Sequence, residues 1–199
     1  MAHPYLNKEY WLNDAQIRKA LVLRLKGAVA STKIKIFEEV GLFHGYSRVD
    51  VLKIDNKLHG YEIKSDNDSL RRLSEQIRIY NQVFDTITIV VGYRHIYEVL
   101  REIPEFWGVV LAERSGPNKV QLIDLKPPKL NLGKQADVLI KLLWRSEVDL
   151  LLKKINPKLQ RTKATKLEIY RKIVAQKNLK WVSSRVVNVL KARESWKVD

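Results

Sequence analysis

Residues 86–92, TITIVVG, form an apolar β-prone run in which Thr86 and Thr88 are the only polar side chains and Val90-Val91 ends any polar alternation. A half-exposed strand alternates polar and apolar residues, so a run of this kind belongs in a sheet covered on both faces. The flanking segments supply the cover. In DSLRRLSEQIRIYNQVF, residues 68–84, Leu70, Leu73, Ile77, Tyr80 and Phe84 recur at intervals of three and four, with Asp68 placed to cap the helix they predict. RHIYEVLREIP reads as a short helix, and WGVVLAE and KVQLIDL as two strands around an SGPN turn. Upstream, NDAQIRKALVLRLKGA has a capping Asn or Asp and puts Ile17, Ala20, Leu21, Val22 and Leu25 along one face, ending near Gly27. TKIKIFEEVGLFHGYS holds a short β-prone piece followed by glycines. RVDVLKI and LHGYEIKS, separated by Asp55-Asn56-Lys57, then predict a hairpin. The order α, hairpin, α, β, α, β, β predicts an α/β layer fold with helices on the sheet faces.

Beyond the proline-bearing KPPKLNLG the chain reads as helical. KQADVLIKLLWRSEVDLLLKKIN runs to a break at Asn156-Pro157, Thr165 and Glu168 make a capping box, and Ser183 or Ser184 is placed to cap RVVNVLKARESW. The chain's net charge is +15, and residues 153–199 hold 14 of its 37 Lys and Arg but only 3 of its 22 acids. That excess suits a polyanionic partner, although a solubilising helical tail would look the same. No cysteine is present, which excludes disulfides, thiolate metal sites and cysteine nucleophiles. No GxGxxG or GxxxxGK phosphate loop occurs. With no apolar run near 18 residues and no basic-then-apolar leader, the expectation is a cytoplasmic protein without a membrane partner.

One strand carries charge where the pattern asks for apolar residues. In GYEIKS, Glu62 and Lys64 share a face while Tyr61, Ile63 and Ser65 take the other. Asp50 interrupts the partner strand, and a hairpin through Asn56 sets it on the Glu62 side. Two carboxylates side by side repel unless a cation lies between them, and oxygen ligands are what Mg2+ prefers. An exposed cross-strand salt bridge is the plain alternative, worth under about 1 kcal/mol. Val49, Val51, Ile54 and Ile63 around it point instead to a covered sheet.

Asp, a hairpin and then Glu-x-Lys resembles the PD-(D/E)XK nuclease superfamily, with its restriction-endonuclease-like mixed sheet flanked by helices. RVD, GYEIKSDNDSL, QIRIY and FDTITIVVG together look like a group of small bacterial and phage PD-(D/E)XK proteins related to MmcB-type DNA-repair proteins. The resemblance implies a nuclease core over residues 1–130, with a basic helical C-terminal region, 131–199, packed on it. It implies that Asp50, Glu62 and the backbone carbonyl of Ile63 bind Mg2+ or Mn2+, and that Lys64 positions and helps deprotonate the attacking water. The upstream acid falls on Glu38 or Glu39, and Glu39 is favoured because it stands just ahead of Gly41. Val49 replaces the usual proline, which supplies no ligand. Gln76 and Tyr80, four apart on one helix, are similar to the QxxxY motif of RecB-type nucleases, although Tyr80 also lies on the apolar stripe. Arg48 and His44 are placed to approach phosphate, and Trp107, Trp144 and Trp181 read as packing residues.

Two functions follow as expectations. The first is a metal-dependent deoxyribonuclease in DNA repair or in defence against foreign DNA. The second is a non-catalytic DNA-binding module using the C-terminal helices, with Lys163, Lys166, Lys172 and Lys177 on phosphates. A helix-turn-helix transcription factor is weaker, because KNLKW lacks the usual glycine turn. A homodimer is compatible with either.

Overall fold

The structure is a computed structural model that describes residues 8–27, 34–42, 46–117, 119–155 and 164–196. His44, Lys163 and the Asn156-Pro157 break lie outside the described residues.

Six strands form one mixed sheet: β1 (Lys35–Leu42), β2 (Ser47–Ile54), β3 (Leu58–Lys64), β4 (Thr86–Gly92), β5 (Gly108–Gly116) and β6 (Lys119–Lys126), in that spatial order. β2 pairs antiparallel with β1 on one side and β3 on the other, β3, β4 and β5 are parallel, and β6 returns antiparallel to β5. Parallel neighbours require crossovers, and α2 (Leu73–Tyr80) and α3 (Ile96–Glu102) supply them. β4 is buried on both faces. Ile87, Ile89 and Val91 join the larger core, whereas Val90 joins a smaller one under α1 (Asp14–Gly27), with Ile17, Leu21, Val51, Ile63 and Val110.

The C-terminal helices α4 (Ala136–Leu139), α5 (Arg145–Ile155), α6 (Lys166–Gln176) and α7 (Leu179–Ala192) share the larger core with β1 through β5. Among the described residues no helix is long and apolar enough to cross a membrane.

Several local readings meet a different geometry. The β-prone piece at 35–42 is a full strand, whose inward positions run Phe37, then Val40 and Leu42. The alternation slips by one at Glu39, whose φ of 54° breaks the pleat. α2 starts at Leu73 rather than near Asp68, and the Asp68 carboxylate instead accepts from Ser65 N–H and Oγ–H, both at 2.7 Å. The long segment after residue 134 bends between α4 and α5. Ser183 and Ser184 lie inside α7, because Asn178 caps it further upstream by accepting from Trp181 N–H. The Thr165–Glu168 capping box forms, and Asn13 makes a reciprocal one with Gln16.

Asp66, just past β3, fastens α1 to the sheet. Its carboxylate accepts from Leu12 N–H at 2.8 Å and Arg94 N–H at 2.9 Å, and its own N–H donates to the Leu12 carbonyl. Asp66→Ala leaves these donors without their acceptor and should lower the unfolding free energy by about 1–3 kcal/mol. A shift of the urea midpoint corresponding to less than about 0.5 kcal/mol would show that water replaces the carboxylate at no cost.

Candidate functional site

The β2–β3 ladder pairs Ile54 with Leu58 and closes with Val51 opposite Tyr61. The next pair in this register would set Asp50 directly against Glu62, and the ladder stops there. Like carboxylates facing each other are destabilising on a sheet, so the fork coincides with the charge. A cleft of about 400 Å³ opens at it. Its lining gathers six carboxylates, Asp14, Glu39, Asp50, Glu62, Asp68 and Glu75, against three cations, Arg48, Lys64 and Arg72. In a chain of net charge +15, this acidic concentration is local and specific.

Glu62 is the deepest of these groups, 2% exposed, with Lys64 at 4%. Lys64 Nζ donates to Glu62 Oε1 at 2.7 Å and to Gln76 Oε1 at 2.8 Å, while Gln76 Nε2 donates to Glu62 Oε1 at 2.6 Å. The Tyr80 hydroxyl lies 2.6 Å from both Glu62 Oε2 and the Arg48 carbonyl, sharing one proton between two acceptors. Burial, followed by the nearby Glu62 charge, raises the Tyr80 phenol, so it stays a donor. Its ring is wholly buried and stacks on Trp107 at 6.1 Å. Tyr80 is therefore both a core residue and a site residue. Gln76 lies in the buried stripe with Leu73 and Ile79, whereas Ile77 is only partly buried. Leu73 and Tyr80 of the expected stripe are buried, but Gln76 and Ile79 rather than Ile77 complete the buried face, and Gln76 and Tyr80 both reach Glu62.

Asp50 Oδ2 accepts from Ile63 N–H at 2.6 Å. The N–H and C=O of one strand residue point to the same edge, so the Ile63 carbonyl opens toward the fork as well. Burial, then the charge of Glu62, pushes the Asp50 carboxyl from 3.8 up to about 7, against the lowering effects of Ile63 N–H and Arg18. Glu39 lines the cleft and holds Arg48 at 2.9 Å, whereas Glu38, the other candidate for the upstream acid, is exposed.

The residue that sequence reasoning missed is Arg18, on α1. Its guanidinium pairs with Asp14, with Glu39 at 2.6 Å and with Asp50 at 3.1 Å. The spacing Asp14-x-x-x-Arg18 was a visible signal, an i,i+4 helical pair. Nothing in the one-dimensional pattern told which strand ends that pair would meet. Asp68 and Glu75, which also line the cleft, carried no such signal.

Other expected contacts are dispersed. Lys166 sits over Tyr170 and Lys177 over Trp181, at 5.6 and 5.5 Å, and Lys172 is exposed on α6. Trp107 and Trp144 are packing residues, the second with Arg193 against its ring. Trp181 is half-buried between Lys177 and Arg185.

The raised Asp50 carboxyl makes stability depend on pH. Between 3.8 and about 7 the unfolded chain loses a proton that the folded chain keeps, so this group costs stability as pH rises through that window, with no further change above it. Without divalent cations, Asp50→Asn should therefore gain on the wild type between pH 4 and pH 8, by at most about 4 kcal/mol. Thermal melts in EDTA that show a pH-independent difference between the two proteins would contradict this assignment.

Among proteins of known structure, a protein of unknown function from Silicibacter pomeroyi is 18% identical over 77% of this chain and 99% of its own, with a TM-score of 0.42. Protein cII of Enterobacteria phage P4 is 32% identical over 101 residues, half of this chain and 38% of that relative's length. The family described as Bacteriophage P4 protein cII matches residues 7–196. With nearly its whole length matched, the chain belongs to the bacteriophage P4 protein cII family.

Proposed function

We propose that the chain is a metal-dependent nuclease of the PD-(D/E)XK, restriction-endonuclease-like type, hydrolysing DNA phosphodiester bonds in repair or in defence against foreign DNA. The observation that supports this most is the fork itself. Asp50 and Glu62 meet where β2 and β3 part, and Lys64 is held beside them by Glu62 and Gln76.

Among the described residues no three His, Asp or Glu side chains form a closed metal cage, because Arg18 and Lys64 are interleaved with the acids. The donors nonetheless suit a hard divalent cation in kind. Each Asp50 oxygen has one protein partner and so a lone pair to spare, as does Glu62 Oε2, and the Ile63 carbonyl adds a neutral oxygen. Asp50, Glu62 and Ile63 would hold Mg2+ or Mn2+, with Glu39 at the rim. The ion would supply Lewis acidity and a more acidic water. Lys64 spends two of its three N–H groups on Glu62 and Gln76, which fixes the ammonium and leaves the third for an attacking water or a phosphate oxygen. Gln76 and Tyr80 hold the Glu62 carboxylate in one orientation.

A second reading, a DNA-binding module without catalysis, draws on the same contacts, since the acids already have cationic partners inside the protein. The two readings part on one experiment, incubation of labelled linear, circular and single-stranded DNA with protein under Mg2+, Mn2+ or EDTA. The nuclease reading expects cleavage that EDTA abolishes and that Glu62→Gln or Asp50→Asn lowers by about 10³-fold or more. Retained cleavage in EDTA, or none under any cation, sinks it.

Lys64→Ala should lose activity by a similar factor while keeping its Mn2+ affinity, because the ammonium acts at the water rather than at the ion. Parallel loss of both in calorimetry would reassign it to metal binding.

Binding by the basic helices is separable from the chemistry. Lys166, Lys172 and Lys177 changed together to Gln should flatten the salt dependence of DNA affinity by up to about 0.9 for each duplex phosphate that is no longer neutralised. An unchanged slope in the folded variant would move the DNA path to Arg48, Arg71, Arg72 and Arg78 around the cleft.

A further inference from the structure

We propose that Arg18 is the resident cation of this site: it occupies the position beside Asp50 that a second divalent ion would otherwise take, and so limits the cleft to one metal. The inference rests on the metal-site reading above and adds a positioning residue to it.

The geometry is specific. Each of the three guanidinium nitrogens faces an acid, with Nε and Nη2 on Asp14 at 2.9 Å, Nη1 on Glu39 at 2.6 Å and Nη2 on Asp50 at 3.1 Å. Nη1 also donates to the Asp50 carbonyl at 2.9 Å. The side chain is 14% exposed, held by α1 packing on the sheet face opposite Glu62 and Lys64. Asp50 is thus divided, with Oδ2 on the Ile63 N–H and Oδ1 on Arg18. In two-metal hydrolytic sites the ions stand about 3.5–4 Å apart and share a bridging carboxylate. Here Asp50 Oδ1, the oxygen that would serve a second ion, already has a cation against it.

A guanidinium is suited to that place because it cannot lose its charge and its planar fork matches carboxylates. It spreads a single positive charge over Asp14, Glu39 and Asp50 where a hard ion would gather oxygen ligands. Take it away and Asp14 and the Oδ1 side of Asp50 lose their cation, while Glu39 keeps only Arg48.

The test counts ions. Mn2+ binding to the full-length protein is measured by calorimetry and by electron paramagnetic resonance of free Mn2+, for the wild type, Arg18→Gln and Arg18→Lys. The expected result is one Mn2+ per chain in the wild type, two in Arg18→Gln, with spin coupling between the ions, and one again in Arg18→Lys, which restores the charge. If Arg18→Gln fails to fold, the double variant Asp14→Asn with Arg18→Gln removes one repelling acid and should still take a second ion on Glu39 and Asp50. Two ions in the wild type, or one ion of unchanged affinity in folded Arg18→Gln, overturns the inference while leaving the metal site standing. No Mn2+ bound by the wild type removes the metal-site reading and this inference with it.

Discussion

A carboxylate buried to the extent of Glu62 is tolerated only when the chain surrounds it with donors. Lys64 comes from the same strand, two residues on, and Gln76 and Tyr80 come from α2. That requirement orients α2 on the sheet. Tyr80 in turn stacks on Trp107 and contacts Phe84, and the Trp107 indole N–H donates to Asn81. The charge of one side chain is thereby coupled to the deepest packing in the larger core. Removing Glu62 without its partners would leave the Lys64 ammonium without its counter-charge, with only Gln76 as a partner, and the Tyr80 phenol with only the Arg48 carbonyl as acceptor, so the polar cluster and the core are one construction.

The second anionic centre is built differently. Asp50 sits at the edge of the fork, half in and half out, where Glu39 and Arg18 can reach it. Glu62 is fixed by neutral and cationic donors in the interior, whereas Asp50 and Glu39 are governed by a guanidinium from the opposite face. Two layers of the fold converge on a single cleft, and Asp66 secures the layer that brings α1. The membership in the P4 cII family covers both layers, since its match runs through α1 and through α7.

Much of this was legible in the chain because it depends on strand period. The shared face of Glu62 and Lys64 follows from alternation, the hairpin through Asn56 and the meeting with Asp50 from alternation together with the Asp55-Asn56-Lys57 turn, and the two-sided burial of β4 from an apolar run without a charged residue. What was illegible depends on three-dimensional approach. The apolar stripe expected for α2 holds at Leu73, Tyr80 and Phe84, but Ile77 is only partly buried while Gln76 and Ile79 are buried, and a buried Gln76 does not count as apolar in a periodicity. α2 begins late because Asp68 spends its carboxylate on Ser65. Arg18 was hidden because a helix surface reads as solvent until the strands beneath it are known, and Glu39's left-handed backbone has no marker in a residue that is neither Gly, Asn nor Asp.

That last feature sets two selective pressures against each other. A glycine at position 39 would relax a backbone conformation that costs a residue with a Cβ about 1–3 kcal/mol, but would remove the carboxylate that faces Arg18 and Arg48. Among variants sorted for folding alone, position 39 would drift toward glycine; among variants sorted for what the cleft does, it would stay acidic. The site therefore records, in a single torsion angle, the difference between a sequence optimised to fold and one optimised to hold charge in place.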